Sequence, residues 1–257
     1  MIREIAADPL NRMRFPIDEW RLVEVEPSDA DVGVTETLFA VGNGYLGMRG
    51  NPEEGRPSYA HGTFINGFHE IWPIKHAEDA FGFAHTGQTI INVPDAKLMK
   101  IYVDDEPLVL SVADLDGYER ALDFRSGRLT RTVIWRTPAG KRVRIRSSRM
   151  VSFTDRHLAL MEIEVTLLSG GDAPVVVTSQ IVNRQDGYTD YRRPETRGES
   201  WDPRRSAAFN GRVLQPEFHW DQGRRMVMAY QTSSSGMTIA VVADDSATTE
   251  NPFEAIS

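Results

Sequence analysis

Beyond Leu98 the chain alternates apolar and polar residues in short runs separated by turn-forming residues. Met99, Ile101 and Val103 alternate with Lys100 and Tyr102, and Asp104-Asp105-Glu106-Pro107 then turns the chain. Leu122 and Phe124 precede the turn Arg125-Ser126-Gly127-Arg128, and the run 129–136 ends at Thr137-Pro138-Ala139-Gly140. Within 141–150, Val143 and Ile145 fall on one face while Arg142, Arg144 and Arg146 fall on the other. Met161, Ile163, Val165 and Leu167 repeat this against Glu162, Glu164 and Thr166. A period of two marks a half-buried strand, because successive side chains leave a strand on opposite faces. Further strands are expected over 174–182, around 212–220, and over 225–231 and 237–243. Turn signals every roughly 8–12 residues imply an antiparallel sandwich or barrel.

No segment longer than two turns shows a period of 3.6 with caps at both ends, so little helix is expected. Twisted open sheets rarely exceed about 10 strands before dividing into two layers. The expectation is one all-β domain over residues 1–257, a large antiparallel two-sheet sandwich. Two stretches break the rhythm. Residues 66–88 carry Phe68, Trp72, Phe81, Phe83, His69, His76 and His85 with little alternation, and 184–211 is a polar excursion containing Tyr188, Tyr191 and Trp201. Long loops in compact domains are commonly functional.

Composition narrows the classes. Hydrophobic residues make up 40% and charged residues 26%, which suits a packed core. A net charge of −8 argues against affinity for nucleic-acid phosphate. No apolar run approaches the roughly 20 residues that span a bilayer, and the charged start lacks the apolar region of a secretory signal. Without cysteine there is no disulfide, thiolate metal site or thiol nucleophile. A cytoplasmic location is the simplest expectation.

The window Glu36-Thr37-Leu38-Phe39-Ala40-Val41-Gly42-Asn43-Gly44-Tyr45-Leu46-Gly47-Met48-Arg49-Gly50-Asn51 is the most informative one. Its glycines call for positive φ or close packing. Gly42 to Gly47 satisfies G-x-G-x-x-G, but a dinucleotide site needs a helix starting at the glycines. Met48-Arg49-Gly50-Asn51-Pro52 stops a helix within a turn, so the match is fortuitous. The same window resembles the N-terminal signature of glycoside hydrolase family 65. The resemblance continues in order through Gly62-Thr63-Phe64-Ile65-Asn66-Gly67-Phe68-His69-Glu70 and Gly87-Gln88-Thr89-Ile90-Ile91-Asn92-Val93-Pro94. It runs on through Leu122-Asp123-Phe124-Arg125, Trp135-Arg136-Thr137-Pro138-Ala139-Gly140-Lys141 and Ser148-Arg149-Met150-Val151-Ser152.

That resemblance implies a two-sheet supersandwich of the galactose-mutarotase-like kind, followed in the family by a catalytic (α/α)₆ barrel that lies outside this chain. It implies an intact enzyme acting on α-glucosidic disaccharides, with phosphorylase ahead of hydrolase. Inorganic phosphate is then co-substrate, no cofactor is needed, and inverting phosphorolysis yields β-glucose 1-phosphate. The barrel and the disaccharide are the expected partners, a homodimer is compatible, and nucleic acid and membrane are not expected. The chain alone is expected to be inactive. The alternatives are an independent carbohydrate-binding module and, third, a mutarotase-like epimerase, for which no Glu–His pair stands out.

Individual residues have a plain reading beside a sharper one. Glu36 and Arg49 are expected to brace the glycine-rich crossing of Gly42, Gly44, Gly47 and Gly50, not to catalyse. Asn43 is expected to be a turn residue that tolerates left-handed φ. His61, Phe68, Glu70, Trp72, His85 and Trp201 are candidates for a sugar entrance or a domain interface, since aromatic bodies with polar tips suit both. An exposed aromatic patch is expected between Phe64 and Phe83. The histidines lack zinc-ligand spacing, and no metal site is expected. The stripe Arg142, Arg144, Arg146 reads as a solvated face paired with acidic residues.

Overall fold

The computed structural model describes residues 8–74, 76, 78–185 and 212–257. In chain order its elements are β1 (Arg21–Glu24), α1 (Val32–Leu38), β2 (Val41–Gly42), β3 (Leu46–Met48), β4 (Thr63–Ile65), β5 (His69–Pro73), β6 (Thr86–Ile90), β7 (Asp95–Val103) and β8 (Glu106–Pro107). They continue with β9 (Asp114–Asp123), β10 (Arg128–Arg136), β11 (Arg142–Val151), β12 (Ala159–Ser169), β13 (Val175–Val182), β14 (Leu214–Gln222), β15 (Arg225–Thr232) and β16 (Thr238–Asp244). The fold is all-β and antiparallel, as the alternation predicts, and α1 is the one helix among the described residues.

Residues 66–88 correct the sequence reading. They hold the hairpin β5–β6, not a loop alone, with His69 opposite Ile90 and Trp72 opposite Gly87. The alternation was hidden because the inward positions of β5 are Glu70 and Trp72, a charged residue in phase with an aromatic one. Chain contacts define two compact units, Met1–Gly62 with Lys97–Thr178, and Thr63–Ala96 with Ser179–Ser257.

In the first unit β1-β9-β10-β11-β12 form a five-stranded sheet. One face carries Val133, Trp135, Val143 and Ile145, which pack with Ile101, Val103 and Leu108 from the β7–β8 hairpin. Each such side chain contributes about 1.5–3 kcal/mol when buried. The opposite face is a charged ladder. Arg128 meets Glu162 at 2.9 Å, Arg142 meets Asp116 at 2.6 Å, and Arg144 and Arg146 meet Glu164 at 3.5 and 3.7 Å. The β7–β8 turn places Asp104 and Asp105 at φ 52 and 64. Positive φ at both centres is the type I′ turn, whose twist matches the flanking strands and which aspartate tolerates better than most residues.

In the second unit β14-β15-β16 form an antiparallel meander. Tyr230, Met228 and Ile239 of that sheet pack with Phe68, Ile91, Val93, Val213 and Leu214. Glu70 ties β5 to the β15–β16 turn, its carboxylate accepting the N–H groups of Ser234 (2.9 Å) and Ser235 (2.7 Å).

Candidate functional site

The glycine-rich window is organised around one buried carboxylate. α1 delivers Glu36, whose Oε1 accepts the Ser58 hydroxyl at 2.8 Å and the Tyr59 N–H at 2.9 Å. Its Oε2 accepts the Ala60 N–H at 3.0 Å and Arg49 Nη2 at 3.3 Å. Burial pushes the Glu36 pKa up, but these donors outweigh it and hold the carboxyl below its ordinary value. Gly50 sits under Phe39, where a Cβ would lie 2.7 Å from the Phe39 Cβ and 2.8 Å from its carbonyl oxygen. Its N–H donates to the Glu36 backbone oxygen at 2.7 Å.

Three expectations in this window need correction. Gly44 does have positive φ, at 85, but Gly47 does not, and a Cβ there would meet nothing within 4 Å. Gly42 would put a Cβ only in ordinary contact, 3.5 Å from the Leu46 oxygen. Asn43 is not in the left-handed region, which among described non-glycine residues holds only Asp104 and Asp105. It orders the turn with its side chain instead. Its Oδ1 accepts the Tyr45 and Leu46 N–H groups, and its Nδ2 donates to Ser152 O (2.6 Å) and Arg156 O (3.1 Å). Gly42 and Gly47 pair directly across the β2–β3 hairpin, so no helix begins at these glycines.

The sequence reading missed a second assembly that continues the first. Arg120, Arg131 and Arg149 lie on the inner face of the five-stranded sheet, all buried. Arg149 donates to the carbonyls of Arg49 (3.0 Å) and Asn51 (2.7 Å), and Arg120 to that of Gly50 (3.2 Å). The three consecutive carbonyls of Arg49-Gly50-Asn51 are thus all held by arginines. Charge balance comes from Glu24, Glu53 and Glu54. Arg120 and Arg14 meet Glu24 at 2.6 and 2.5 Å, Arg149 and Arg131 meet Glu53 at 2.8 and 2.9 Å, and Arg131 grips Glu54 with two hydrogen bonds of 2.8 and 2.5 Å. Burial alone raises the Glu53 pKa, yet Arg131 and Arg149 prevail and hold it at about 2. Burial also pushes the Tyr118 phenol up.

A cleft of about 210 Å³ opens over this cluster, lined among others by Glu24, Glu36, Asn51, Glu53, Arg120 and Arg149. General acid catalysis at neutral pH needs a carboxyl that keeps its proton. Glu36 and Glu53 are pushed the other way. The three arginines direct their Nη groups at carboxylates and carbonyls, though Nε of Arg131 and of Arg149 is buried without a partner, and the arrangement works as a brace. Its signal in the sequence was phase. Arg131 is in phase with Leu129 and Val133, and Arg149 with Ser147 and Val151, all inward positions.

The aromatic and histidine candidates separate. Phe68 is buried in the second core, and Trp72 is 8% exposed, its ring over Gly87 and its Nε1 donating to Thr89 Oγ1 at 3.0 Å. Neither can serve as an open platform, which removes these two of the four aromatics from the patch expected between Phe64 and Phe83. Phe81 and Phe83 are exposed, and His85, also exposed, faces Asp79 at 3.6 Å. Glu70 is buried and serves the turn described above, while His61 belongs to the first unit. Trp201 lies outside the described residues. Among the described residues no group of three or more His, Asp or Glu is placed to hold a metal ion, and no helix is long and apolar enough to cross a membrane.

An uncharacterized glycosyl hydrolase of Mycobacterium tuberculosis is 37% identical over 226 residues, covering 88% of this chain and 27% of that protein. The α,α-trehalose phosphorylase of Thermoanaerobacter brockii is 32% identical over 246 residues, 93% of this chain and 30% of the enzyme. The chain therefore spans less than a third of these relatives' length. A human-microbiome protein assigned as a kojibiose phosphorylase has the same fold, with a TM-score of 0.69 at 20% identity over 89% of this chain and 28% of that one. The family model described as the N-terminal domain of glycosyl hydrolase family 65 matches residues 22–255, and the chain belongs to that family.

Proposed function

We propose that this region is the non-catalytic β domain of a disaccharide phosphorylase, less favourably a hydrolase, acting on α-glucosidic disaccharides. In this reading it supports a separate catalytic barrel and helps shape the sugar entrance, and inorganic phosphate is the co-substrate there. The observation that carries the reading is the surroundings of two carboxylates, Glu36 in the glycine-rich window and Glu53 just beyond it, whose neighbouring donors hold both below the ordinary carboxyl pKa. Inverting cleavage requires one carboxylic acid at the leaving oxygen opposite the attacking group, and neither residue suits that task. The trehalose, kojibiose and maltose phosphorylases among its relatives support the substrate class. A cytoplasmic location fits a chain without cysteine, and a homodimer is compatible with this reading. Incubating the purified chain with phosphate and maltose, trehalose or kojibiose tests the reading. No glucose 1-phosphate is expected, and release that is lost in Glu36→Gln or Glu53→Gln would overturn it.

A further inference from the structure

Two Asn-Gly steps lie among the described residues, Asn43-Gly44 and Asn66-Gly67, while Asn210-Gly211 lies outside them. Asparagine is thermolabile, and most so before glycine, whose backbone nitrogen has no Cβ beside it to shield it from the asparagine Cγ. By residue type the two steps are equal, and their surroundings separate them. In the first unit the Asn43 carboxamide is engaged at both ends. Oδ1 accepts the Tyr45 and Leu46 N–H groups at 3.0 and 2.8 Å, and Nδ2 donates to the Ser152 and Arg156 carbonyls at 2.6 and 3.1 Å. Arg156 and His157 also pack on the Tyr45 ring, which pins the turn. Attack on the Asn43 Cγ needs the carboxamide to swing towards the Gly44 nitrogen, so these hydrogen bonds must open first.

In the second unit Asn66-Gly67 is the turn between β4 and β5, closed by the Phe68 N–H on the Ile65 carbonyl at 3.1 Å. Both residues are exposed. Gly67 has φ 86, and a Cβ there would meet nothing beyond its chain neighbours within 4 Å. Room for a swinging carboxamide, and for water, is therefore open on the glycine side. His69 Nδ1 lies 2.9 Å from the Gly67 carbonyl oxygen, a contact with the oxygen and not with the nitrogen that would attack. The turn also leads straight into groups that hold the unit together. Phe68 is part of its core, and Glu70 accepts the Ser234 and Ser235 N–H groups.

We propose that Asn66 is a site of self-modification, deamidation with water as the co-reactant, and that conversion there loosens the Glu70 anchor. The Gly67 nitrogen attacks the Asn66 Cγ, the bond from Cγ to the side-chain nitrogen breaks, and ammonia leaves with the proton that the Gly67 nitrogen gives up. Water then opens the resulting succinimide at either carbonyl, leaving aspartate or isoaspartate and one more negative charge. In the isoaspartate form the main chain runs through the former side-chain methylene, so the turn before Phe68 and Glu70 is one atom longer. The test ages the purified chain at mildly alkaline pH and follows its peptides by chromatography and mass spectrometry. The Asn66 peptide is expected to exchange NH2 for OH and to split into two forms, faster as pH rises because the attacking nitrogen must lose a proton. Each hydrogen bond that must open first slows attack by roughly a factor of 2–12, so Asn43 in the same sample is expected to convert at least about tenfold more slowly. Asn66→Gln is expected to stop the reaction at this position, since its imide ring would need a sixth member. Because both asparagines are read in one sample of the parent chain, the comparison does not depend on how that variant folds. Conversion of Asn66 no faster than that of Asn43 would overturn the proposal, as would a single aspartate product without the isoaspartate form. Hydrogen exchange at the Ser234 and Ser235 amides is expected to be faster in the isoaspartate fraction, and unchanged exchange there would refute the loosening of the anchor.

Discussion

Gly50 and Gly47 are three residues apart in one motif, yet a methyl group would meet a wall at one and open space at the other. Gly50→Ala forces Phe39 or its backbone aside and is expected to destabilise the chain by about 1–3 kcal/mol. Gly47→Ala is expected to stay within about 0.5 kcal/mol of the parent, and Gly44→Ala to lose about 1–2 kcal/mol through its left-handed φ. Urea midpoints at constant m-value check all three. Glu53 carries a pH signature. Its folded pKa of about 2 lies below the ordinary 4.5. Its stabilisation is therefore complete above the unfolded value and is lost as pH falls from about 5 towards 2. The shift corresponds to an effect on the order of 3 kcal/mol. Glu53→Gln is expected to destabilise the chain at pH 7 and to flatten the acid limb of stability against pH. An acid limb identical to the parent's would show that another group is responsible.

Strands and turns show how single charged residues organise elements. β10 and β11 each bury an arginine in phase with aliphatic side chains, and this works because Glu53 and Glu54 arrive from the segment just after the glycine-rich window. Removing one partner of a buried pair costs about 3–5 kcal/mol, since the other charge is left unpaired. Arg131→Met is expected to fall in that range by denaturant titration, despite its similar length and greater hydrophobicity. Glu70 does the corresponding work for the β15–β16 turn, with both carboxylate oxygens on backbone N–H groups. Glu70→Gln replaces charge-assisted bonds with weaker neutral ones. The expected result is faster hydrogen exchange at the Ser234 and Ser235 amides, with exchange in β10 and β11 unchanged.

For the molecule as a whole, each unit has its own apolar cluster, one around Val133, Trp135 and Ile145 and the other around Phe68, Leu214 and Tyr230. The cleft in the first unit is floored by arginine–glutamate ion pairs, which the proposed reading takes as part of a scaffold. Saturating maltose or trehalose is accordingly expected to leave the thermal midpoint of the isolated chain unchanged. A ligand present at 100 times its Kd would add about 2.7 kcal/mol of stability, so a clear upward shift would reveal a sugar site that the scaffold reading does not contain.

Alternation by itself determined the strands of the central and C-terminal parts of the chain. Where one sheet face is apolar and the other charged, as in β10, β11 and β12, hydropathy sorts the faces without reference to anything distant. The ordered motifs around Gly42 to Asn51 and onward likewise identified the family from local residues alone. The tertiary structure decided what hydropathy sorts wrongly. Arginine reads as an outward residue, and Arg120, Arg131 and Arg149 are inward only because Glu24, Glu53 and Glu54 meet them from segments far apart in sequence. Glu70 disguised a strand by occupying its buried phase. Phe218 and Trp220 err in the opposite direction, since alternation assigns aromatic residues to the core. The register of β14 against β15 turns them outward, because a strand's period specifies which residues share a face but not which face meets the core.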